Sequence, residues 1–246
     1  MENNQLYNLL NLPAEVIHNL DKYGSSGKNT FNIDIEDLIQ NTSLVKELDK
    51  LIAGSTGQDE DGTKILWEEL NIARQSFDEY QKRGIPDRIF IDTMKFCTRF
   101  LNEYYKTYSC YRFVWGWWFP RQLALLEFRI GALEYEYCNG QYISLHIPSD
   151  ADLTPQSVLK SISQFKDFCR QYYPGWEGIQ IQCESWMLSP ALKYESMAIL
   201  DWVFPGYNKI PEELPENTSL QTNMKKYLLG GNKPGWTKGV LKSVWE

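Results

Sequence analysis

A chain of 246 residues that is 43% hydrophobic is long enough for one large domain or two smaller ones and can fill a core. Its formal charge of −7 repels a phosphate backbone, and no Lys/Arg cluster offsets this, so nucleic acid is excluded as the expected partner. Five cysteines (Cys97, Cys110, Cys138, Cys169, Cys183) form no CxxC pair and follow no secretory leader, and no apolar run is long enough to span a bilayer. The expectation is a cytoplasmic, non-membrane protein without structural disulfides. The aromatic share of 14%, with nine Trp, fits a dense core or an apolar pocket. Trp115, Trp117 and Trp118 form either core or an exposed patch.

The first region, residues 1–108, reads as helical. Short helical patterns cover about 13–22 and 34–53. Leu66, Leu70, Ala73, Phe77 and Tyr80 make one apolar stripe on a helix over 63–82. Phe90, Met94, Cys97, Leu101, Tyr104 and Tyr108 repeat the pattern over 87–108, with Pro86 separating the two helices. Segments 24–30 and 54–63 read as loops. Two motif fragments there are discounted. Gly57-x-Asp59-x-Asp61-Gly62 with Glu68 is spaced like a calcium loop but begins on Gly rather than Asp. Gly24-Ser-Ser-Gly27-Lys28 lacks the leading Gly and the trailing Ser/Thr of a phosphate loop. No metal-ligand spacing is found, so no metal is expected.

The pattern changes over residues 109–246. Two strands are expected at about 122–129 and 132–138, joined at Ile130-Gly131. Asn139-Gly140 is a two-residue hairpin signal, and a third strand runs over 141–147 to Pro148. A two-residue turn pairs Cys138 with Gln141, Tyr137 with Tyr142, Tyr135 with Ser144 and Leu133 with His146. That register puts Leu133, Tyr135, Tyr137, Tyr142, Ser144 and His146 on one face. Glu134, Glu136, Ile143 and Leu145 fall on the other, where the two glutamates read as solvated charges. Thr154-Pro155 caps a helix running to about Tyr172. A strand follows over Ile179–Leu188, then helices opening at Ser189-Pro190 and covering about 218–229. The fold class is α+β.

Three stretches carry a resemblance: Phe128 to Glu136, Ser144-Leu145-His146-Ile147-Pro148, and Cys183-Glu184-Ser185-Trp186-Met187-Leu188-Ser189-Pro190. Together with Leu214 to Gln221 they resemble bacterial acyltransferase domain-containing proteins, which have a helical N-terminal part and a GNAT-like C-terminal domain with a mixed sheet flanked by helices. The resemblance implies an acyl-CoA co-substrate, acetyl-CoA or a longer homologue, and a small-molecule acceptor, an amine. It implies that the strands at 141–147 and 179–188 splay, with the pantetheine arm on the backbone of Ser144, Leu145 and Ile147 and against Trp186. It further implies the diphosphate near Thr154, where a helix N-terminus favours an anion. The chain departs from that pattern in one place. Ser149 to Thr154 contains no Gly and no Arg, and Asp150 and Asp152 would repel a diphosphate unless they point away.

Amine acylation needs a base, carbonyl polarisation and an acid for the leaving thiolate. The candidates are His146 as base, Glu184 as base directly or through water, and Ser185 as hydrogen-bond donor. Each also has a structural reading, as a strand-end histidine or as ordinary strand alternation. No acid that would orient His146 is evident in the sequence. Cys169 and Cys183 read as small buried hydrophobes. The rival to an enzyme is a GNAT-shaped module that binds a small ligand or partner without catalysis.

Overall fold

A computed structural model describes residues 1–25, 31, 33–185 and the backbone of 237–240. The helices expected after Ser189 lie outside these residues, as does Trp186. Contacts divide the chain into two compact units, Met1–Phe128 and Arg129–Glu246.

The first unit is helical: α1 (Asn3–Leu9), α2 (Ala14–Gly24), α3 (Ile35–Gln40), α4 (Thr42–Thr56), α5 (Thr63–Lys82), α6 (Asp87–Met94), α7 (Phe96–Tyr108) and α8 (Pro120–Leu123). The expected helix over 63–82 is α5, and it packs against α2, α4, α6 and α8 through Leu66, Leu70, Ala73 and Tyr80. The helices expected over 34–53 and 87–108 are each two. Asn41 accepts bonds from the amides of Ser43 and Leu44, so its side chain starts a new helix inside the first. Lys95 interrupts the second. The acidic loop before α5 is ordered by capping: Asp59 accepts from the Ile65 amide and Asp61 from the Thr63 amide.

The strand expected from residue 122 begins later. Pro120 opens the short helix α8, and Leu125 takes a positive φ of 55° before the chain extends. A run of apolar residues fits both periods, and here a helical turn consumes its first half.

The sheet consists of β1 (Glu127–Ile130), β2 (Leu133–Cys138), β3 (Tyr142–His146), β4 (Ile181–Ser185) and β5 (Thr237–Val240), in that spatial order. It is mixed: β2/β3 and β4/β5 are antiparallel and β3/β4 is parallel. Parallel neighbours need a long crossover, and α9 (Pro155–Tyr172) supplies it, with the bounds its Thr154-Pro155 cap and apolar stripe predict.

In the second unit, α9 covers one face of β2 and β3. The Tyr135 ring stacks on Phe165 at 3.9 Å, and Tyr137 stacks on Trp176 at 4.7 Å. Buried Ser161 of α9 ties the same face: its hydroxyl lies 3.1 Å from the Tyr135 hydroxyl, accepts from the Leu133 amide and donates to the Ile130 carbonyl. Gly131, at φ 64°, makes the β1–β2 turn against α9, where a Cβ would meet the Gln164 amide oxygen at 2.8 Å.

The hairpin register differs from the expected one by one residue. Asn139 and Gly140 do adopt positive φ, and the Gln141 amide donates to Cys138. Pairing then resumes as Cys138↔Tyr142, Tyr137↔Ile143, Glu136↔Ser144, Tyr135↔Leu145 and Glu134↔His146, leaving Gln141 as an extra residue. Burial decides this. The observed register puts buried Tyr135 and half-buried Tyr137 beside the buried Leu145 and Ile143, whereas the two-residue register would set them beside Ser144 and Tyr142. A one-residue slip exchanges faces, so Glu134 and Glu136 share a face with Ser144 and His146.

Candidate functional site

The site is built on the face of the sheet opposite α9. Strand alternation places Glu134 and Glu136 of β2, Ser144 and His146 of β3, and Gln182 and Glu184 of β4 on that face. Of the expected catalytic residues, the fold therefore brings His146 and Glu184 to one face. Ser185 falls on the other, α9-side face of β4 and is buried.

Two ladder pairs join β3 to β4, Ile143↔Ile181 and Ser144↔Gln182, and the Ile143 amide donates to the Gln180 carbonyl at 2.9 Å. Both strands continue past this ladder, β3 to His146 and β4 to Ser185. Backbone groups alternate in direction along a strand, so the carbonyl of Leu145 and the amide of Ile147 face the β4 side beyond the last rung. Leu145 buries its side chain under α9, so only its backbone is turned toward this opening.

At the end of β3, His146 Nε2 lies 2.9 Å from Glu136 Oε2. The two residues are diagonal neighbours across the β2–β3 ladder, a separation that long side chains bridge. This corrects the expectation of solvated glutamates. Glu136 engages the histidine, and Glu134, 5% exposed, lies 3.8 Å from Arg129. Glu136 is the residue the sequence reading misses. The signal was present, because burying Tyr135 and Tyr137 together with Ile143 and Leu145 forces the register that joins Glu136 to His146.

The Gly-free loop before α9 disposes of both its carboxylates. Asp150 pairs with Arg129 at 2.9 Å, and Arg129 also donates to the Gly131 carbonyl. Asp152 accepts from the Thr154 amide at 3.0 Å and from the Ser157 hydroxyl. The Ser157 bond first and the Thr154 amide second hold the Asp152 carboxyl below its ordinary range. Thr154 itself accepts from the Ser157 amide, so the donors at the start of α9 are largely taken by the chain's own oxygens. Cys183 carries no nucleophile: burial, with Glu184 adding to it, pushes its thiol up to about 12.

Helical first unit, mixed sheet, crossover helix and a short parallel β3–β4 ladder define a GNAT-like acyltransferase architecture. The chain belongs to the N-acyltransferase family: residues 1–125 match its N-terminal domain and residues 127–197 match a GNAT-like C-terminal domain. It is an acyltransferase.

Solved structures agree in fold. The chain is similar to an acyltransferase in complex with decanoyl-CoA and teicoplanin, at 16% identity and a TM-score of 0.66, over 97% of this chain and 86% of that one. It is similar to a mutant acyltransferase in complex with octanoyl-CoA, at 17% identity and a TM-score of 0.64, over 97% and 87% of the two chains. An acyltransferase in complex with decanoyl-CoA aligns at 19% identity and a TM-score of 0.59, over 96% and 85%. No curated protein matches the chain.

Proposed function

We propose that this protein transfers an acyl group from acyl-CoA to the amine of a small molecule, with His146 as the general base. The observation that carries this reading is His146 at the end of β3, beside the place where the β3–β4 ladder stops. The thioester arm lies along the backbone of Leu145 and Ile147, and of the residues expected to hold it Ser144 turns its own amide and carbonyl toward Glu136 of β2 instead. The amine nitrogen attacks the thioester carbonyl, its proton passes to His146, the C–S bond breaks and the thiolate is protonated as CoA leaves. Glu184, on the same face, assists through water. Ser185 and Trp186 stay as candidates for polarising the carbonyl and lining the arm.

Because the similar structures hold decanoyl- and octanoyl-CoA, medium chains are the first donors to try, with acetyl-CoA the short-chain comparison. An amine on a glycopeptide-sized molecule is the first acceptor class, since one similar structure holds teicoplanin. A reducing cytoplasmic setting accords with five free cysteines. Among the described residues no helix is long and apolar enough to cross a membrane.

A second reading rests on Asp152. With its carboxylate seated at the start of α9, the position expected for a diphosphate is occupied by a negative charge, which favours a binding module that does not use CoA. Calorimetric titration with CoA, acetyl-CoA and decanoyl-CoA separates the two, followed by CoA release over an amine panel. Micromolar binding with turnover supports the transferase. No binding by any of the three to folded protein overturns it.

A further inference from the structure

We infer that Glu136 is the positioning residue of the transfer reaction: it fixes the His146 ring so that Nδ1, and not Nε2, is the atom that takes the substrate proton. This rests on the reading of His146 as the base.

His146 Nε2 and Glu136 Oε2 are 2.9 Å apart. An ionised carboxylate can only accept, so Nε2 must carry hydrogen to make this bond. A neutral imidazole has one ring proton, and placing it on Nε2 leaves the lone pair on Nδ1. The partner of one ring nitrogen thus sets the role of the other.

The geometry holding the pair is rigid. Glu136 and His146 are both strand residues, fixed by the Glu136↔Ser144 and Glu134↔His146 rungs, and on either side of Glu136 the ring of Tyr135 stacks on Phe165 of α9 and that of Tyr137 on Trp176, four residues beyond α9. The His146 and Glu136 side chains are 25% and 19% exposed, so the pair is partly shielded from water yet open to a ligand. Surface ion pairs free to rearrange would not hold a ring in one orientation.

In the reaction, an amine N–H bond breaks as an Nδ1–H bond forms. The Nε2 proton stays on the ring, and the resulting imidazolium faces the Glu136 carboxylate. No proton passes to Glu136. The carboxylate therefore contributes orientation and stabilises the cation that forms, as the buried acid does in serine-protease triads.

The test uses the full-length protein and four variants: Glu136→Ala, Glu136→Gln, His146→Ala and the Glu136→Ala/His146→Ala double. With decanoyl-CoA and an accepted amine, Glu136→Ala lowers kcat roughly hundredfold, the lower end of what a positioned base contributes, while KM for acyl-CoA is unchanged. Glu136→Gln keeps an acceptor oxygen but no charge and falls between the two. In the His146→Ala background, removing Glu136 changes nothing further, because it acts through the ring.

A second readout needs no substrate. The protein has two histidines, His18 and His146, so a ¹⁵N-labelled sample and a His18→Gln control assign the rings. Long-range ¹H–¹⁵N spectra show His146 protonated at Nε2 and bare at Nδ1, and a tautomer mixture in Glu136→Ala.

The proposal is overturned if the proton resides on Nδ1, if the ring spectrum of Glu136→Ala matches wild type, or if Glu136→Ala retains full kcat while His146→Ala is inactive. Full turnover by His146→Ala instead removes the base assignment, and if no acyl-CoA is turned over at all, the ring spectra still decide the orientation.

Discussion

Along β2 and β3, successive residues belong to two different chemistries. Tyr135, Tyr137, Ile143 and Leu145 share the α9 side, where Tyr135 stacks on Phe165 of α9 and Tyr137 on Trp176 just beyond it, within 5 Å, and the Ser161 hydroxyl satisfies polar atoms. Glu134, Glu136, Ser144 and His146, offset by one residue on the same strands, carry charge and titratable groups. The covered face supplies the rigidity that the other face needs. A histidine on a strand whose partner residues are clamped keeps its position without spending side-chain entropy at the reactive step. The contrast also shows why the register matters more than the strands. A slip of one residue would bury Glu136 under α9 or aim His146 into the core.

The sharpest way to break this contrast is to cut each face separately. His146→Ala lowers acyl transfer by about 10²–10⁴-fold, the usual contribution of a positioned base, with its melting temperature close to wild type. Tyr135→Ala does the reverse. It leaves a cavity under Phe165 and loses the Ser161 bond, costing about 3–5 kcal/mol in chemical denaturation. If Tyr135→Ala is as stable as wild type, or His146→Ala unfolds the protein, the division of labour between the faces is wrong. Ser161→Ala is the intermediate case: it strips partners from the Leu133 amide and the Ile130 carbonyl, a loss of about 1–3 kcal/mol.

These residues also show what the sequence could and could not tell. α9 was legible to the residue because Thr154-Pro155 is a local signal and Val158, Phe165 and Cys169 repeat at helical spacing. The strands β2 and β3 were legible from composition and from Asn139-Gly140. Their register was not, because a turn motif constrains only the residues next to it, whereas burial acts over the whole ladder and won by extruding Gln141. The two-residue register sets Glu136 on the face away from His146, so their 2.9 Å contact cannot be read from the turn motif. The Asp150 and Asp152 charges were visible, but their partners were not. Arg129 lies 21 residues from Asp150, and no local rule joins them.

Asp152 sharpens the comparison at the ligand end of the same unit. As a carboxylate it holds the Thr154 amide and the Ser157 hydroxyl at the start of α9 and repels any diphosphate brought there. Asn keeps an acceptor for the Thr154 amide and removes the charge, so Asp152→Asn binds CoA several-fold more tightly in calorimetry at low salt, and the gain shrinks as salt is added. Unchanged affinity would mean that the diphosphate does not dock at α9. The pH dependence has a definite sign. The Asp152 carboxyl is held below its unfolded value by Ser157 and Thr154, so the stability from these bonds is present above the unfolded carboxylate range and is lost as pH falls through the folded value.

The smallest effect compares two buried carboxylates. Glu134 in the second unit has Arg129 beside it, whereas Glu69 of α5 in the first is fully buried with no hydrogen-bond partner for either oxygen among the described residues. Burial, reinforced by Asp49, pushes the Glu69 carboxyl well above its ordinary range. The unfolded chain ionises first as pH rises, so the native state holds the extra proton. Stability from Glu69 is complete below the unfolded value near 4.5 and declines as pH climbs toward the folded one. Glu69→Gln keeps the shape and cannot ionise. Its stability therefore gains on wild type as pH is raised from 4.5, by at most about 1.4 kcal/mol per pH unit, or a few degrees in melting temperature. A gap that stays constant between pH 4.5 and 8 would mean that Glu69 ionises in the fold as freely as in the unfolded chain.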